Sequence, residues 1–187
     1  MHDDVKAALE VLQNGGVILY PTDTIWGIGC DACNEEAVKR IYAIKNRIDS
    51  KSMLVLLENA ALLDRYIDEV PEIAFDLIEV SDKPLTIIYD GAKNLARNLI
   101  AEDGSIGIRI TTEAFSSDLI RRFKRPVVST SANISGKPSP ACFAEIDQKI
   151  IEAVDYVVKY RQDETQKAVP SGIIKLGRSG EIKIIRP

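Results

Sequence analysis

Apolar residues in the first third of the chain follow two spacings, one helical and one continuous. Over residues 3–14 they recur every three or four positions and Gly15 follows, which predicts an amphipathic helix ended by glycine. Residues 17–20 form a short apolar run stopped by Pro21, as expected for a strand. A second helix is predicted after Asn34, because asparagine caps helix N-termini. The unbroken apolar run 53–57 predicts a buried, central strand.

The rest of the chain changes from alternating elements to consecutive strands. The pattern predicts helices at residues 59–66 and 71–80, a helix capped by Thr112 and running to about residue 124, a helix at 144–153, and strands at 85–89, 105–110, 126–130, 156–158, 172–176 and 182–185. We therefore expect an α/β fold of the α+β type, with a twisted mixed parallel and antiparallel sheet flanked by helices. Because no linker-like segment interrupts residues 1–187, we expect a single domain.

Composition describes an ordinary globular chain with a mild acidic excess. Of its 187 residues, 45% are hydrophobic and 28% are charged, and the formal net charge is −4. A protein that wraps nucleic acid non-specifically usually carries a basic excess, because its affinity comes from phosphate neutralisation. The charge disfavours that class, although it is compatible with a local basic cleft.

The N-terminus and the cysteines indicate the compartment. Residues 1–16 lack the basic start and apolar stretch of a signal peptide, and no apolar run approaches the roughly 20 residues of a membrane span. Three cysteines, an odd number, argue against a disulfide framework. We expect a cytoplasmic protein with no membrane association.

Cys30 and Cys33 form a C-x-x-C pair, the spacing of a zinc half-site or a redox pair. Zinc would require two more ligands, and the spare candidates, Cys142 and His2, make no second spaced pair. We therefore expect both cysteines of the pair to be small buried hydrophobic residues.

Three polar stretches are candidates for ligand binding. YPTDT (20–24) ends a strand, where α/β folds place ligands, although these residue types also favour ordinary turns. In IKNRIDSK (44–51), Lys45, Arg47 and Lys51 either bind phosphate or complement the helix dipole at a helix end. VSTSANISGKPSP (128–140) carries five hydroxyls within residues 129–139, enough to cradle a phosphate, a ribose or a carboxylate; the alternative is a polar loop with local bonds.

A basic run, RRFKR (121–125), either contacts RNA or complements the dipole at its helix C-terminus. The sequence offers no Ser-His-Asp or Cys-His nucleophile set. Anion-binding groups without an acid–base pair suit phosphoryl or nucleotidyl transfer, in which lysine, arginine and Mg²⁺ position the phosphates and neutralise charge.

Taken in order, YPTDTIWGIGCDA, IKNRIDSK, SIGIRI and VVSTSANISGKPS resemble the motifs of the YrdC family of L-threonylcarbamoyladenylate synthases. The similarity covers about residues 5–186 and matches the short form of the family, without the extra C-terminal domain. It implies a YrdC-like twisted sheet whose concave face forms a large basic cavity. It also implies that the protein makes threonylcarbamoyl-AMP and pyrophosphate from L-threonine, bicarbonate or CO₂ and ATP, for modification of tRNA beside the anticodon.

The resemblance also implies roles for individual residues. Lys45 and Arg47 would be catalytic. ATP would be bound by Arg47, Lys51, Ser105, Ser131, Asn133, Ser139 and Arg186, and L-threonine by Thr24, Arg109, Ser129 and Ser171. No protein metal site is expected, and Mg²⁺ would be carried by ATP. The implied partners are ATP, L-threonine, bicarbonate and the proteins that transfer the threonylcarbamoyl group, with tRNA as a further candidate.

Two alternative functions remain open at this point. One is an RNA-binding module for tRNA or double-stranded RNA, based on residues 121–125, and the other is a YrdC-like paralogue with a different nucleotide-dependent activity. The chain has both the K-x-R and the S-A-N sets, which the paralogous branch lacks, and this favours the synthase. It departs from the family pattern at Trp26, Ile48 and Gly172, where the family has a smaller aromatic residue, a proline, and serine or threonine.

Overall fold

The structure is a computed structural model that describes residues 1–46 and 53–187. The α-helices of these residues are α1 (His2–Gln13), α2 (Glu35–Ile44), α3 (Ile73–Val80), α4 (Ala114–Phe123) and α5 (Gln148–Ala153), and short 3₁₀ helices cover Ala60–Arg65, Arg97–Leu99 and Phe143–Glu145. The strands are β1 (Ile18–Tyr20), β2 (Gly27–Gly29), β3 (Leu54–Leu57), β4 (Leu85–Tyr89), β5 (Ile106–Ile110), β6 (Val127–Ser131), β7 (Tyr156–Val157), β8 (Gly172–Leu176) and β9 (Ile182–Arg186).

The strands of the described residues form one sheet in the order β7-β1-β2-β6-β3-β5-β4-β8-β9. The pairs β1–β7, β3–β5 and β4–β8 are parallel, and the other neighbouring pairs are antiparallel. The predicted mixed sheet flanked by helices is confirmed. The unbroken apolar strand β3 lies between β6 and β5 in the middle of the order, as its sequence predicts.

One face of the sheet is apolar and belongs to the core. Its central row is formed by Val128, Val55, Ile108 and Ile87, which pair across β6, β3, β5 and β4 and are at most 2% exposed. The apolar faces of α1 and α4, which pack against each other, belong to the same buried core. For α1 the structure buries Val5, Ala8 and Leu12, which share one face at helical spacing.

The opposite face carries most of the polar side chains of the candidate site. Cross-strand partners and every second residue of a strand share a face of the sheet. Following the register from strand to strand therefore brings together Gly27, Ser131, Ser129, Leu54, Gly107, Arg109, Thr86, Ile173 and Arg186, which we call the polar face.

The sequence prediction missed the short strand β2. Its sequence, Gly-Ile-Gly, has low intrinsic strand preference, because glycine in a strand loses backbone entropy and has no side chain to pack. The glycines are required by crowding: a Cβ atom on Gly29 would lie 2.6 Å from both Tyr20 Cε1 and the backbone oxygen of Val128. Close packing of β2 between β1 and β6 therefore selects residues that local propensity does not assign to a strand.

Several predicted helix boundaries are wrong. The helix predicted from Thr112 begins at Ala114, because the side chain of Glu113 accepts the cap hydrogen bond from the backbone N–H of Ser116 at 2.8 Å. The segment predicted as helix 144–153 is divided, since Asp147 caps a new helix through the N–H of Lys149 at 3.0 Å. The segment 59–66 forms a 3₁₀ rather than an α-helix, and α3 begins two residues after Pro71.

The C-x-x-C pair divides into one buried and one exposed thiol. Cys30 is buried as predicted, whereas the prediction that Cys33 is buried is wrong, because its thiol lies at the surface and donates to the backbone oxygen of Asn94. All three cysteines are free, and the described residues contain no group of three His, Cys, Asp or Glu side chains that could hold a metal.

None of the helices in the described residues combines the length and the apolar character needed to cross a membrane.

Candidate active site

Two adjoining cavities lie against the polar face, one of about 960 Å³ and one of about 190 Å³. Thr24, Trp26, Pro170, Ser171 and Arg186 line both of them. Of the predicted site residues, the smaller cavity is lined by Thr24, Arg109, Ser129, Ser131, Ser139, Ser171 and Arg186. The structure thus brings together side chains from five separate parts of the chain, and all four predicted threonine-binding residues are among them.

A buried ion pair joins the two cavities. Nη2 of Arg109, which lines the smaller cavity, lies 3.0 Å from Oδ1 of Asp23, which lines the larger one. The two side chains are 3% and 9% exposed. Burial raises the pKa of Asp23 and the nearby guanidinium opposes this shift, while burial lowers the pKa of Arg109 and the carboxylate opposes that one. Each charge therefore offsets part of the desolvation cost of the other.

The turn that holds Asp23 is fixed by its two threonines. Thr22 donates through Oγ1 to the backbone oxygen of Ile25 at 2.8 Å and accepts from the N–H of Thr24 at 3.0 Å. Arg161 adds a hydrogen bond of 3.1 Å to the backbone oxygen of Thr22. The stretch is therefore an ordered turn that also lines a cavity, so the two interpretations drawn from its sequence are compatible.

The loop after β6 is organised around Lys45, the C-cap residue of α2. The Lys45 side chain is buried, and its Nζ donates to the backbone oxygens of Ser131 and Asn133, the latter at 2.7 Å, and to Asn133 Oδ1 at 3.2 Å. The backbone oxygen of Lys45 accepts from the N–H of Ser135 at 2.8 Å. Within the loop, the Ser131 hydroxyl donates to Asn133 Oδ1 at 2.5 Å. Lys45 and Asn133 thus hold the loop in its conformation through hydrogen bonds, while Ser131 lines the smaller cavity.

Four further residues of the predicted set, Lys45, Arg47, Lys51 and Asn133, are expected to act on ATP. Arg47 and Lys51 fall outside the described residues. Lys45 and Asn133 line neither cavity. Their predicted roles toward ATP stay predictions.

Ser105 continues the side-chain alternation of β5 and lies on the polar face, four residues from Arg109. Its hydroxyl donates to Asp103 Oδ1 at 2.5 Å, and Lys175 Nζ lies 3.0 Å from Asp103 Oδ2. Ser105 lines neither cavity, and its predicted contact with ATP stays a prediction.

The last strands close one end of the smaller cavity. The hydroxyl of Ser171 contacts the hydroxyl of Thr86 at 2.8 Å, and Nε of Arg186 donates to the backbone oxygen of Ser171 at 2.9 Å. These contacts place the Ser171 side chain, which is 3% exposed, at the edge of the cavity opposite the loop after β6.

Three of the four cations in the basic run at the end of α4 pair with two nearby carboxylates. Arg121 and Arg122 both contact Asp118, the latter at 3.0 Å, and Arg125 lies 2.8 Å from Asp31. These ion pairs offset part of the charge of the run, and the RNA-binding interpretation of the run stays a prediction.

Sequence reasoning placed Asp23 in a candidate binding stretch without giving it a role, and it did not include Trp26 or Arg161 among the site residues. Trp26 is 6% exposed, its ring lies 4.9 Å from that of Phe143, centroid to centroid, and it forms part of the wall of both cavities. A signal for the role of Asp23 was present, since an acidic residue close to the end of a buried strand needs a cationic partner. The partner, Arg109, is 86 residues away in the sequence, and only the sheet brings the two together.

Comparison with known proteins identifies relatives of this chain. The model of the family Sua5_yciO_yrdC, described as telomere recombination, matches residues 10–187. A threonylcarbamoyl-AMP synthase of Pseudoalteromonas translucida is 34% identical over 157 residues, which are 82% of this chain and 84% of that protein. A threonylcarbamoyl-AMP synthase of Xanthomonas euvesicatoria is 32% identical over 182 residues, which are 96% of this chain and 96% of that protein.

Solved structures show the same fold. Sua5 of P. abyssi complexed with L-threonine superposes with a TM-score of 0.82 at 25% identity, over 92% of this chain and 50% of that one. This chain thus spans about half the length of that protein. YciO of E. coli superposes with a TM-score of 0.85 at 24% identity, over 100% of this chain and 89% of that one. The chain therefore belongs to the Sua5/YciO/YrdC family, as the motifs of its sequence predict.

Proposed function

We propose that this protein is a threonylcarbamoyl-AMP synthase, a nucleotidyltransferase that joins L-threonine, bicarbonate or CO₂ and ATP and releases pyrophosphate. The observation that carries the proposal is the buried guanidinium of Arg109 on the wall of a small hydroxyl-lined cavity, directly beside a much larger one. The names of the curated relatives and the L-threonine in the Sua5 structure support it.

The two cavities suit the two larger substrates. A guanidinium binds a carboxylate through two parallel hydrogen bonds, so Arg109 is placed to hold the carboxylate of threonine. The hydroxyls of Thr24, Ser129 and Ser171 surround it and offer partners to the other polar groups of the amino acid. The larger cavity, of about 960 Å³, lies at the upper end of the about 300–1,000 Å³ typical of ligand pockets and leaves room for a nucleotide.

The reaction requires the two sites to meet. The amine of threonine captures CO₂ to form a carbamate, whose oxygen attacks the α-phosphorus of ATP, and pyrophosphate leaves. Thr24, Trp26 and Ser171 line both cavities, so the carbamate would form where the sites adjoin. Holding two reactants in this geometry removes much of the entropic cost of their encounter.

Negative charge grows on the leaving pyrophosphate, and the cations of residues 44–51 are the candidates to stabilise it. Removing one preorganised donor of this kind typically costs about 3 kcal/mol, or a hundredfold or more in rate. Lys45 would act in part through the loop that it supports, since its ammonium contacts Ser131 and Asn133. ATP would enter as its magnesium complex, as the resemblance to the family implies.

The site also protects its product from water. The carbamate and its mixed anhydride with AMP are both labile to hydrolysis, so the walls around them should exclude solvent. Arg109 is 3% exposed and Trp26 is 6% exposed, and both belong to the smaller cavity.

We assign this activity to residues 1–187 as one domain and place it in the cytoplasm, where three free thiols remain reduced. Partner proteins would then transfer the threonylcarbamoyl group to the adenosine beside the tRNA anticodon.

Pyrophosphate release and product mass test the proposal. With ATP and Mg²⁺, pyrophosphate should appear only when both threonine and bicarbonate are present, and mass spectrometry should detect threonylcarbamoyl-AMP. Pyrophosphate release that ignores threonine would rule out this function and favour a paralogous, different nucleotide-dependent activity. Serine and valine serve as matched controls for the amino acid, because each keeps the carboxylate and amine and changes one group of the side chain.

A further inference from the structure

Asp23 lies where the two cavities meet. It lines the larger cavity between Thr22 and Thr24, and Thr24 lines both. Its Oδ1 is 3.0 Å from Nη2 of Arg109, on the wall of the smaller cavity. An amino acid whose own carboxylate binds Arg109 would bring its α-amino group close to the guanidinium on which the Asp23 carboxylate is held.

The Asp23–Arg109 pair has hydrogen-bonding groups whose capacity the described residues do not fill. Asp23 Oδ1 and Arg109 Nε are both buried, and neither makes a hydrogen bond of good geometry within residues 1–46 and 53–187, although Oδ1 lies 3.0 Å from Nη2 of Arg109 as an ion pair. Burying polar groups without full hydrogen bonding costs free energy, so an incomplete buried pair is a place where a ligand gains affinity. A zwitterionic amino acid supplies the two missing partners, a carboxylate for Arg109 and an ammonium group for Asp23.

We propose that Asp23 is the general base that removes a proton from the ammonium group of the amino-acid substrate, an inference that rests on the function proposed above. The ammonium nitrogen has no free electron pair and cannot attack carbon. Transfer of one proton to the Asp23 carboxylate leaves a neutral amine, whose electron pair forms the N–C bond with CO₂ while a C=O pair moves to oxygen. The second proton on nitrogen passes to water, and a carbamate anion remains.

The surroundings of Asp23 favour this role. Burial raises its pKa, and the negative charge of Glu113 raises it further, while the guanidinium of Arg109 opposes the shift. A carboxylate whose pKa lies above that of an ordinary aspartate accepts a proton more readily, and the cation 3.0 Å away favours its ionised form, which is the form that can act as a base. Among residues 1–46 and 53–187, the charged and titratable groups around the Asp23–Arg109 pair are Tyr20, Glu113, Arg161 and Arg186.

The decisive variant is Asp23→Asn, which keeps the size of the side chain and removes its basicity. We would measure kcat/KM for threonine by pyrophosphate release, at saturating ATP and bicarbonate, from about pH 6.5 to about pH 9.5. At about pH 7 we expect a loss of about 100-fold or more, the usual contribution of a general base. The activity of Asp23→Asn relative to the unmodified protein should recover to within about tenfold near pH 9.5, because the α-ammonium group of the free amino acid then loses its proton to the solvent without help.

Three further measurements separate the possible causes of a loss. Asp23→Glu retains a carboxylate and should keep more activity than Asp23→Asn at about pH 7, with a shifted acid limb in its pH profile. Asp76→Asn, which changes an exposed carboxylate on α3, should leave the profile unchanged. A deficit of Asp23→Asn that stays constant with pH would mean that Asp23 only balances the charge of Arg109, and it would overturn the inference.

Failure of the proposed function gives a different result. Pyrophosphate release by the unmodified protein would then be independent of threonine, before any variant is made. Urea denaturation reports whether Asp23→Asn folds. If it does not fold, the fall of kcat/KM at low pH in Asp23→Glu decides the question. A fall at the same pH as in the unmodified protein overturns the role of Asp23, and a fall at a shifted pH supports it.

Discussion

The ammonium group of Lys45 is bonded to Asn133, at 2.7 Å to its backbone oxygen and at 3.2 Å to its Oδ1. The pair joins the end of α2 to the loop after β6, two segments that are 88 residues apart. A cation that the sequence offers as a phosphate ligand therefore also holds the hydroxyl-rich loop in place. Removing it should affect stability and catalysis together.

Lys45→Met keeps the length of the side chain and removes its charge. Three half-buried acceptors then lose their donor, so we expect the free energy of unfolding to fall by about 1–3 kcal/mol. Urea denaturation measures this change. Lys39→Met, on an exposed position of the same helix, is the control and should stay within about 0.5 kcal/mol. A stable but inactive Lys45→Met would indicate that the ammonium serves the phosphates and contributes little to the loop.

Arg109→Lys tests the threonine site while keeping a positive charge beside Asp23. Lysine cannot form the two parallel hydrogen bonds of a guanidinium, and hydrogen bonds to charged groups contribute about 1.5–3 kcal/mol each. We expect KM for threonine to rise about 10- to 100-fold and KM for ATP to change less than about threefold, both from steady-state pyrophosphate release. An equal rise in both constants would contradict separate sites. Arg65→Lys, at an exposed position, provides the matched control.

The local pattern of apolar residues predicted the presence of helices and strands better than it predicted the residues at which they begin and end. The apolar run of β3 and the helical spacing of α1 each give a strong period, and both elements form where predicted. The start of α4 depends on which side chain caps it, and Glu113, rather than Thr112, accepts a cap hydrogen bond, from the N–H of Ser116. Strand β2 depends on the close approach of β1 and β6, which no local propensity encodes.

The site was predictable as a set of motifs and unpredictable as a set of contacts. Seven of the residues implied by the motifs line the smaller cavity together. The contact between Asp23 and Arg109 joins the turn after β1 to β5, and the strand order places β2, β6 and β3 between those two strands. Contacts between residues on such distant strands follow from the order of the strands in the sheet. The sequence pattern predicts a mixed sheet but not this order.

Trp26 should report ligand binding in the unmodified protein. It is the single tryptophan of the chain and it lines both cavities, so intrinsic fluorescence arises at the site itself. Titration with ATP and with threonine should each change its intensity or its emission maximum. In Arg109→Lys the threonine response should move to about 10- to 100-fold higher concentration while the ATP response remains. A fluorescence signal that neither substrate alters would contradict the placement of the ligands in these cavities.

The contacts of Asp103 predict how stability depends on acid. Hydrogen bonds from Ser105 and from Lys175 lower the pKa of Asp103 to about 2, from an ordinary value of 3.8. A carboxyl whose pKa is lower in the folded state stabilises the fold above the unfolded pKa, and this contribution is lost as pH falls from about 4 to about 2. Because Asp103 is 56% exposed, solvent screening keeps the contribution below about 1 kcal/mol.

Asp103→Asn should therefore destabilise the protein slightly at neutral pH and progressively less below about pH 4, where the unmodified carboxyl also becomes neutral. Urea denaturation of both proteins at about pH 7, 4 and 3 measures the difference. Glu102→Gln, the exposed neighbour, is the control and should show no such convergence. Lys175→Met removes one of the two donors and should give part of the effect, because Ser105 still donates to Asp103 Oδ1. A difference between Asp103→Asn and the unmodified protein that is constant with pH would show that packing, and not the ionised carboxylate, stabilises this edge of the sheet.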